Sequence, residues 1–211
     1  MKIAIIGATG MTGAAVYKEA TKRGHDVTAI VRNTDKAKTL LGTEAQLLTA
    51  DVFELTAADL APFDVTINAF ADHAKPYLIL DAITHVLHLF RESNKRVFFM
   101  LGAASLYTIN GDLLFDLLTE LPNSDSWIAE PRYGVLALDI LRETDNVQWT
   151  GVSPQQNYNP GAATGTIHIS ENELIYSDEG KSHVTAGNLA VGIVNEIEQP
   201  QFIQQRFTIS D

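Results

Sequence analysis

The chain has 211 residues, 26 acidic against 15 basic, and a formal net charge of −11. That acidity disfavours nucleic-acid and anionic-membrane partners, whose phosphates repel a negative surface. The absence of cysteine excludes disulfides, thiolate metal sites and cysteine nucleophiles. With 45% hydrophobic residues the chain can bury the core of one α/β domain.

In chain order, Lys2–Ile6 reads as a first strand and Met11–Arg23 as a helix stopped by Gly24. Val27–Val31 reads as a strand, Asp35–Leu40 as a short helix, and Ala45–Leu48 and Val65–Ala69 as strands. A long helix over Lys75–Ser93 follows from the 3.6-residue recurrence of Leu78, Ile79, Ala82, Ile83, Val86, Leu87 and Phe90. Arg96–Leu101 is a fifth strand. This alternation predicts right-handed crossovers and a Rossmann-type, doubly wound parallel sheet.

The second half is less regular. Leu113–Leu118 reads as a helix, Leu121–Ser126 as a loop, and Tyr133–Glu143 as a helix entered through Pro131. Val147–Val152 is a strand, and Pro154–Thr164 is a long connection of the kind that often carries function. Thr166–Ile169 and Glu173–Tyr176 resemble a hairpin, Ala186–Ile197 a last helix and Gln205–Ile209 a last strand. The expected organisation is one domain: a core over 1–153, a substrate-side insertion over 154–185, and a closing helix and strand over 186–211. No apolar run approaches the roughly 18 residues that span a bilayer. A strand starting at Lys2 leaves no room for a signal peptide, so a cytoplasmic protein is expected.

The segment with most chemistry is Gly7-Ala8-Thr9-Gly10-Met11-Thr12-Gly13, directly after the first strand. A buried strand feeding a glycine turn and then a helix is the dinucleotide site of a Rossmann unit. The first glycine makes the turn, the second lets the backbone approach a pyrophosphate, and the third lets helix and sheet pack closely. Arg32 ends the second strand, where NAD-binding chains commonly place an acid for the ribose hydroxyls. An arginine there meets the 2′-phosphate of NADP, so NADP is favoured over NAD.

Other candidates lie at strand ends, where open α/β sheets bind ligands. Asp51, with Val52, either accepts from the adenine amine or caps its own loop. Ala69 is small enough for a ribose, while Phe70 either packs on the cofactor or joins the core. Gly102 ends the fifth strand. Ser105 either offers a hydroxyl near the nicotinamide or is an ordinary turn residue, and Tyr107 is a second nearby hydroxyl. Pro154 starts the connection that should pass the nicotinamide. Tyr133 begins a helix, but position 137 is alanine and no lysine falls between 96 and 180. The ammonium that would lower a tyrosine's pKa for acid catalysis is therefore missing. His85 and His88 share a helix face without an acidic partner at metal-site spacing, and His168 and His183 lie in late segments that border the substrate side.

Together the glycine turn, Val31-Arg32-Asn33, Asp51-Val52-Phe53, Leu101–Tyr107, Ser153-Pro154 and Gln204-Gln205-Arg206-Phe207-Thr208 resemble the atypical short-chain dehydrogenase/reductases. Within these the chain is most similar to NAD(P)H-flavin reductase-like proteins, related to biliverdin-IXβ/flavin reductase and to NmrA-like regulators. The resemblance implies a seven- or eight-stranded sheet binding NAD(P), NADPH preferred. It places the pyrophosphate on Gly7, Ala8, Thr9, Gly10, Met11 and Thr12, and the 2′-phosphate on Arg32. Asp51 and Val52 would flank adenine, Ala69, Phe70 and Gly102 would line the ribose path, and Ser105 would stand near hydride transfer. It also implies a small-molecule acceptor such as FMN, another flavin or a quinone, and a monomer or homodimer. The missing Tyr-Lys pair departs from the typical enzymes of the group. It agrees with flavin or quinone reduction, and equally with a non-catalytic NmrA-like redox sensor acting through a protein partner. A reductase or isomerase for another small metabolite is a third reading.

Overall fold

A computed structural model describes residues 1–211. The first half alternates β1 (Lys2–Ile6), α1 (Met11–Lys22), β2 (Asp26–Val31), α2 (Thr34–Leu41), β3 (Gln46–Thr49), α3 (Ala57–Leu60), β4 (Val65–Asn68), α4 (Tyr77–Phe90) and β5 (Arg96–Met100). The second half holds α5 (Leu114–Thr119), α6 (Ala129–Arg142), β6 (Gln148–Ser153), β7 (Asn157–Asn159), β8 (His168–Ser170), β9 (His183–Thr185), α7 (Ala186–Glu198) and β10 (Gln205–Ser210).

Eight strands form one sheet in the order β3-β2-β1-β4-β5-β6-β10-β8. All neighbours are parallel except β8, which runs antiparallel to β10 at the edge. The order reverses beside β1, because β2 and β4 flank it on opposite sides. The crevice beyond the carboxyl ends of β1 and β4 is therefore the topological switch point.

The central strands are apolar on both faces, as a sheet covered by two helix layers requires. One face packs Ile3, Ile5 and Phe98 against Val16, Ala20, Leu189 and Ile193 of α1 and α7. The other packs Ala4, Ile6, Val97 and Phe99 against Ile83, Leu87, Ala137 and Leu141 of α4 and α6. Each fully buried Leu, Ile or Phe there contributes about 1.5–3 kcal/mol. Leu106, Leu114 and Leu174 form a small third core. No helix is long and apolar enough to cross a membrane.

Four expectations need correction. The sixth helix starts at Ala129, not at Tyr133, and holds Pro131 at its third position. The first four helical amides lack intrahelical acceptors, so a proline costs no hydrogen bond there either. The hairpin of Thr166–Ile169 with Glu173–Tyr176 does not form. His168–Ser170 instead pairs with β10, while Leu174 enters the small third core. The connection after β6 also contains β7, which pairs in parallel with β9 in a separate two-stranded sheet. Inside the Leu121–Ser126 loop, Ser124–Ser126 form one 3-10 turn.

Candidate cofactor cleft

At the switch point the carboxyl ends of β1, β2, β4, β5 and β6 open into a cleft of about 960 Å³. Its floor is the glycine turn. Gly7 has φ +75°, and an added Cβ would lie 2.6 Å from the carbonyl oxygen of Ala69. The turns after β1 and β4 thus touch backbone to backbone, which only glycine allows. A Cβ on Gly13 would lie 2.3 Å from the Gly7 carbonyl oxygen. The first amide of α1 with a backbone acceptor is that of Ala14, on the Gly10 oxygen at 2.9 Å. No acid stands in the first turn. The amides of Met11, Thr12 and Gly13 and the positive end of the α1 dipole are therefore available to an anion.

Gly7, Thr9, Gly10, Met11 and Thr12 line the cleft. Ala8 does not: it is fully buried in the core below the turn. From across the cleft, the hydroxyls of Tyr158 and Thr12 hydrogen-bond at 2.8 Å, tying β7 to the start of α1. Burial pushes the Tyr158 phenol up from its ordinary value, so this hydroxyl stays neutral.

At one end, Arg32 and Asp51 face each other, Nη1 to Oδ2 at 3.6 Å. The arginine side chain is 72% exposed, so the pair holds it weakly and leaves it able to reach a phosphate. Lys36, in the first turn of α2, lines the same end and adds a second cation. Asp51 caps its own loop, its Oδ1 accepting from the amide of Phe53 at 3.1 Å, and the residue lines the cleft. Val52 is buried against the cleft wall.

Along the middle, Ala69, Phe70, Gly102 and Pro154 all line the cleft. The side chain of Asn68 accepts from the Phe70 amide at 3.2 Å and shapes this turn. Phe53 packs edge-on to Phe70, with ring centroids 5.6 Å apart, and fixes the ring. Gln156, Asn157 and Tyr158 follow Pro154 along the same wall.

At the other end stand Leu114, Leu118, Trp127, Ile79 and the stripe Pro131, Gly134, Ala137 of α6. His73, on the loop after β4, meets Glu130 of α6 across the mouth, Nδ1 to Oε1 at 2.9 Å.

The three hydroxyls proposed for catalysis are placed elsewhere. Ser105 closes a 3-10 turn that rotates its side chain inward, where it is 4% exposed and its Oγ accepts from Arg206 at 3.1 Å. Tyr107 pairs its backbone with Leu113 and Glu173 outside the cleft. Tyr133 lies on α6 next to Gly134 but off the stripe that faces the cleft. The histidines of the later helices and loops also stand apart from the cleft, with His88 exposed on α4. His85 bonds the Leu55 carbonyl through Nε2 at 3.0 Å. His168 and His183 border a separate cavity of about 650 Å³, where His183 Nδ1 lies 3.1 Å from Asp211 Oδ2.

Sequence reasoning missed Lys36, Trp127, Tyr158 and the His73–Glu130 pair. Lys36 had a signal, lying four residues after Arg32 at the start of a helix. The others meet the site only through tertiary folding.

A bare, donor-rich helix start above a glycine floor fits the pyrophosphate of a dinucleotide. The comparisons agree. The Bacillus subtilis (strain 168) protein YwnB is 32% identical over 211 residues, covering 99% of this chain and 98% of its own. A solved structure from Lactobacillus casei is 34% identical with TM-score 0.94, covering 100% of this chain and 99% of that one. A candidate NADH-flavin reductase from Streptococcus pneumoniae TIGR4 is 31% identical with TM-score 0.89 at the same coverage. The family model for NAD(P)H-binding proteins matches residues 7–200, and the chain belongs to that family.

Proposed function

We propose that the protein is an NADPH-dependent reductase whose acceptor is a flavin or a quinone. NADPH bound along the glycine floor would supply the hydride. The amides of Met11 and Thr12 hold its pyrophosphate, and Arg32 with Lys36 takes the 2′-phosphate and favours NADPH over NADH. Ala69, Phe70, Gly102 and Pro154 line the path to the nicotinamide. The acceptor lies at the apolar end, against Leu114, Leu118 and Trp127.

One observation carries this reading: the cleft-facing stripe of α6 is Pro131, Gly134 and Ala137. Where a tyrosine acid would reach a carbonyl, the helix offers no hydroxyl and no ammonium. Ser105, Tyr107 and Tyr133 do not line the cleft to replace it. An alkoxide needs a proton as hydride arrives, and this stripe provides none. Reduced flavins and quinones delocalise the charge and take protons from water, so for them positioning suffices. The small stripe also leaves room for a flat ring system. The candidate NADH-flavin reductase from S. pneumoniae supports the same acceptor class.

The test is oxidation of NADPH and NADH, followed by absorbance, with FMN, riboflavin and a benzoquinone. Acceptor-dependent turnover with NADPH preferred is expected. Tight dinucleotide binding without turnover on any acceptor would contradict the reading and favour a redox sensor.

A further inference from the structure

Arg206 of β10 is a buried cation without a counter-ion. Its residue is 3% exposed, yet every acceptor it meets is neutral. Nη1 donates to Ser105 Oγ and Ser153 Oγ, each at 3.1 Å. Nη2 donates to the Ser105 carbonyl at 3.2 Å and to Asn172 Oδ1 at 2.7 Å, and Nε reaches the same amide oxygen at 3.3 Å. A second guanidinium, Arg142 of α6, donates to that oxygen at 3.3 Å. Two positive groups thus converge on one amide, and no carboxylate joins them.

The location matters. Ser105 follows Ala104 and Ser153 precedes Pro154, and Ala104 and Pro154 line the cleft. The guanidinium therefore sits directly behind the wall. It also ties that wall to the Asn172 loop, whose carbonyl accepts from the Tyr107 amide at 2.8 Å. Burial, with the Arg142 charge adding to it, lowers the Arg206 pKa to about 10, which leaves it a cation at neutral pH. An uncompensated charge in a low-dielectric interior acts over longer distances than a paired one.

We propose that Arg206 is a positioning and specificity-determining residue: it fixes the Ala103–Ser105 and Pro154 wall, and its unpaired charge makes the cleft favour acceptors that become anions on reduction. This rests on the reductase reading. When a flavin accepts a hydride, its N5–H bond forms while a donor C–H bond breaks and the electron pair enters the ring. The donor is oxidised, and the flavin is reduced and holds one negative charge until water supplies a proton. Reduction thus places an anion in front of Arg206. A purely structural brace would be served equally well by a carboxylate partner, which this site lacks.

The test is an anaerobic pH titration of reduced FMN bound to the protein, followed by absorbance, which separates its neutral and anionic forms. Two variants accompany the wild type. Arg206→Met removes the charge. Asn172→Asp keeps the guanidinium and its hydrogen bonds but supplies a counter-ion, so it tests the electrostatics even where Arg206→Met does not fold. Both should shift the bound flavin toward its neutral form, by about tenfold in the ionisation equilibrium, or about one pH unit. Arg142 and the Tyr107 phenol face Arg206, and His73 and Glu130 line the apolar end of the cleft; both variants retain all four. An Asn172→Asp titration that superimposes on the wild type, or a failure of the wild type to bind reduced FMN, would overturn the proposal. A flavin titration that depends on residue 172 in a protein that never oxidises NADPH would remove the reductase reading and leave the charge assignment standing.

Discussion

The glycine floor of the cleft and its wall at Pro154 are built by different physics. The cofactor end is made of backbone: Gly7 and Gly13 allow contacts that any Cβ would obstruct, and a helix start supplies the donors. The wall at Pro154 is braced from behind by buried side chains that join distant segments. Gln155 is 1% exposed; its Oε1 accepts from Ser182 Oγ at 2.6 Å and the Ile175 amide at 2.9 Å, and its Nε2 donates to Thr208 at 2.7 Å. Arg206 stitches the neighbouring wall in the same way. The difference teaches that a backbone site is fixed by local sequence and can serve many proteins, whereas a wall held by side chains can be rebuilt for another acceptor.

That contrast can be broken most directly at Gly13. A methyl there meets the Gly7 carbonyl and the Ala8 Cα, both backbone atoms that cannot yield. Gly13→Ala should lose about 3 kcal/mol of stability. Dinucleotide affinity should fall by more than about 100-fold, as thermal melting and a dinucleotide titration would report. Gln155→Leu attacks the brace behind Pro154. It strands three buried hydrogen-bonding groups at about 1–3 kcal/mol each, and should lower denaturant stability by at least about 3 kcal/mol in all. Dinucleotide affinity in the folded variant should change less than about threefold. If both losses fall on cofactor binding alike, the floor and the wall are not separate constructions.

Smaller effects sharpen the picture. Arg32→Ser should weaken NADPH by about 10- to 100-fold, the value of a charge-assisted contact, with NADH and the acceptor KM unchanged. Comparison of the two KM values checks this. His73→Ala removes an exposed pair and should alter stability by less than about 0.5 kcal/mol in a denaturant melt.

The same division explains what was legible in the sequence. β1, the glycine turn and Arg32 lie within consecutive residues, where strand, turn and helix signals overlap, and the structure places them as read. Of the two readings of Ser105, the turn residue is the one seen, because the 3-10 turn after Gly102 rotates its side chain toward Arg206, 101 residues away. The Thr12–Tyr158 contact spans 146 positions and the His73–Glu130 pair 57. No spacing rule links residues so far apart. The false hairpin arose because three-residue strands are chosen by their tertiary partners rather than by their own pattern. Pro131 marked a helix start correctly but not its position, since a proline is tolerated throughout the first turn.

The central claim is that this cleft passes a hydride from NADPH to a planar acceptor. An anaerobic single-turnover mixing of the protein with equimolar NADPH and FMN tests it most directly. The account predicts that flavin absorbance bleaches in step with loss of NADPH. NADPH that binds while the flavin stays oxidised would contradict it.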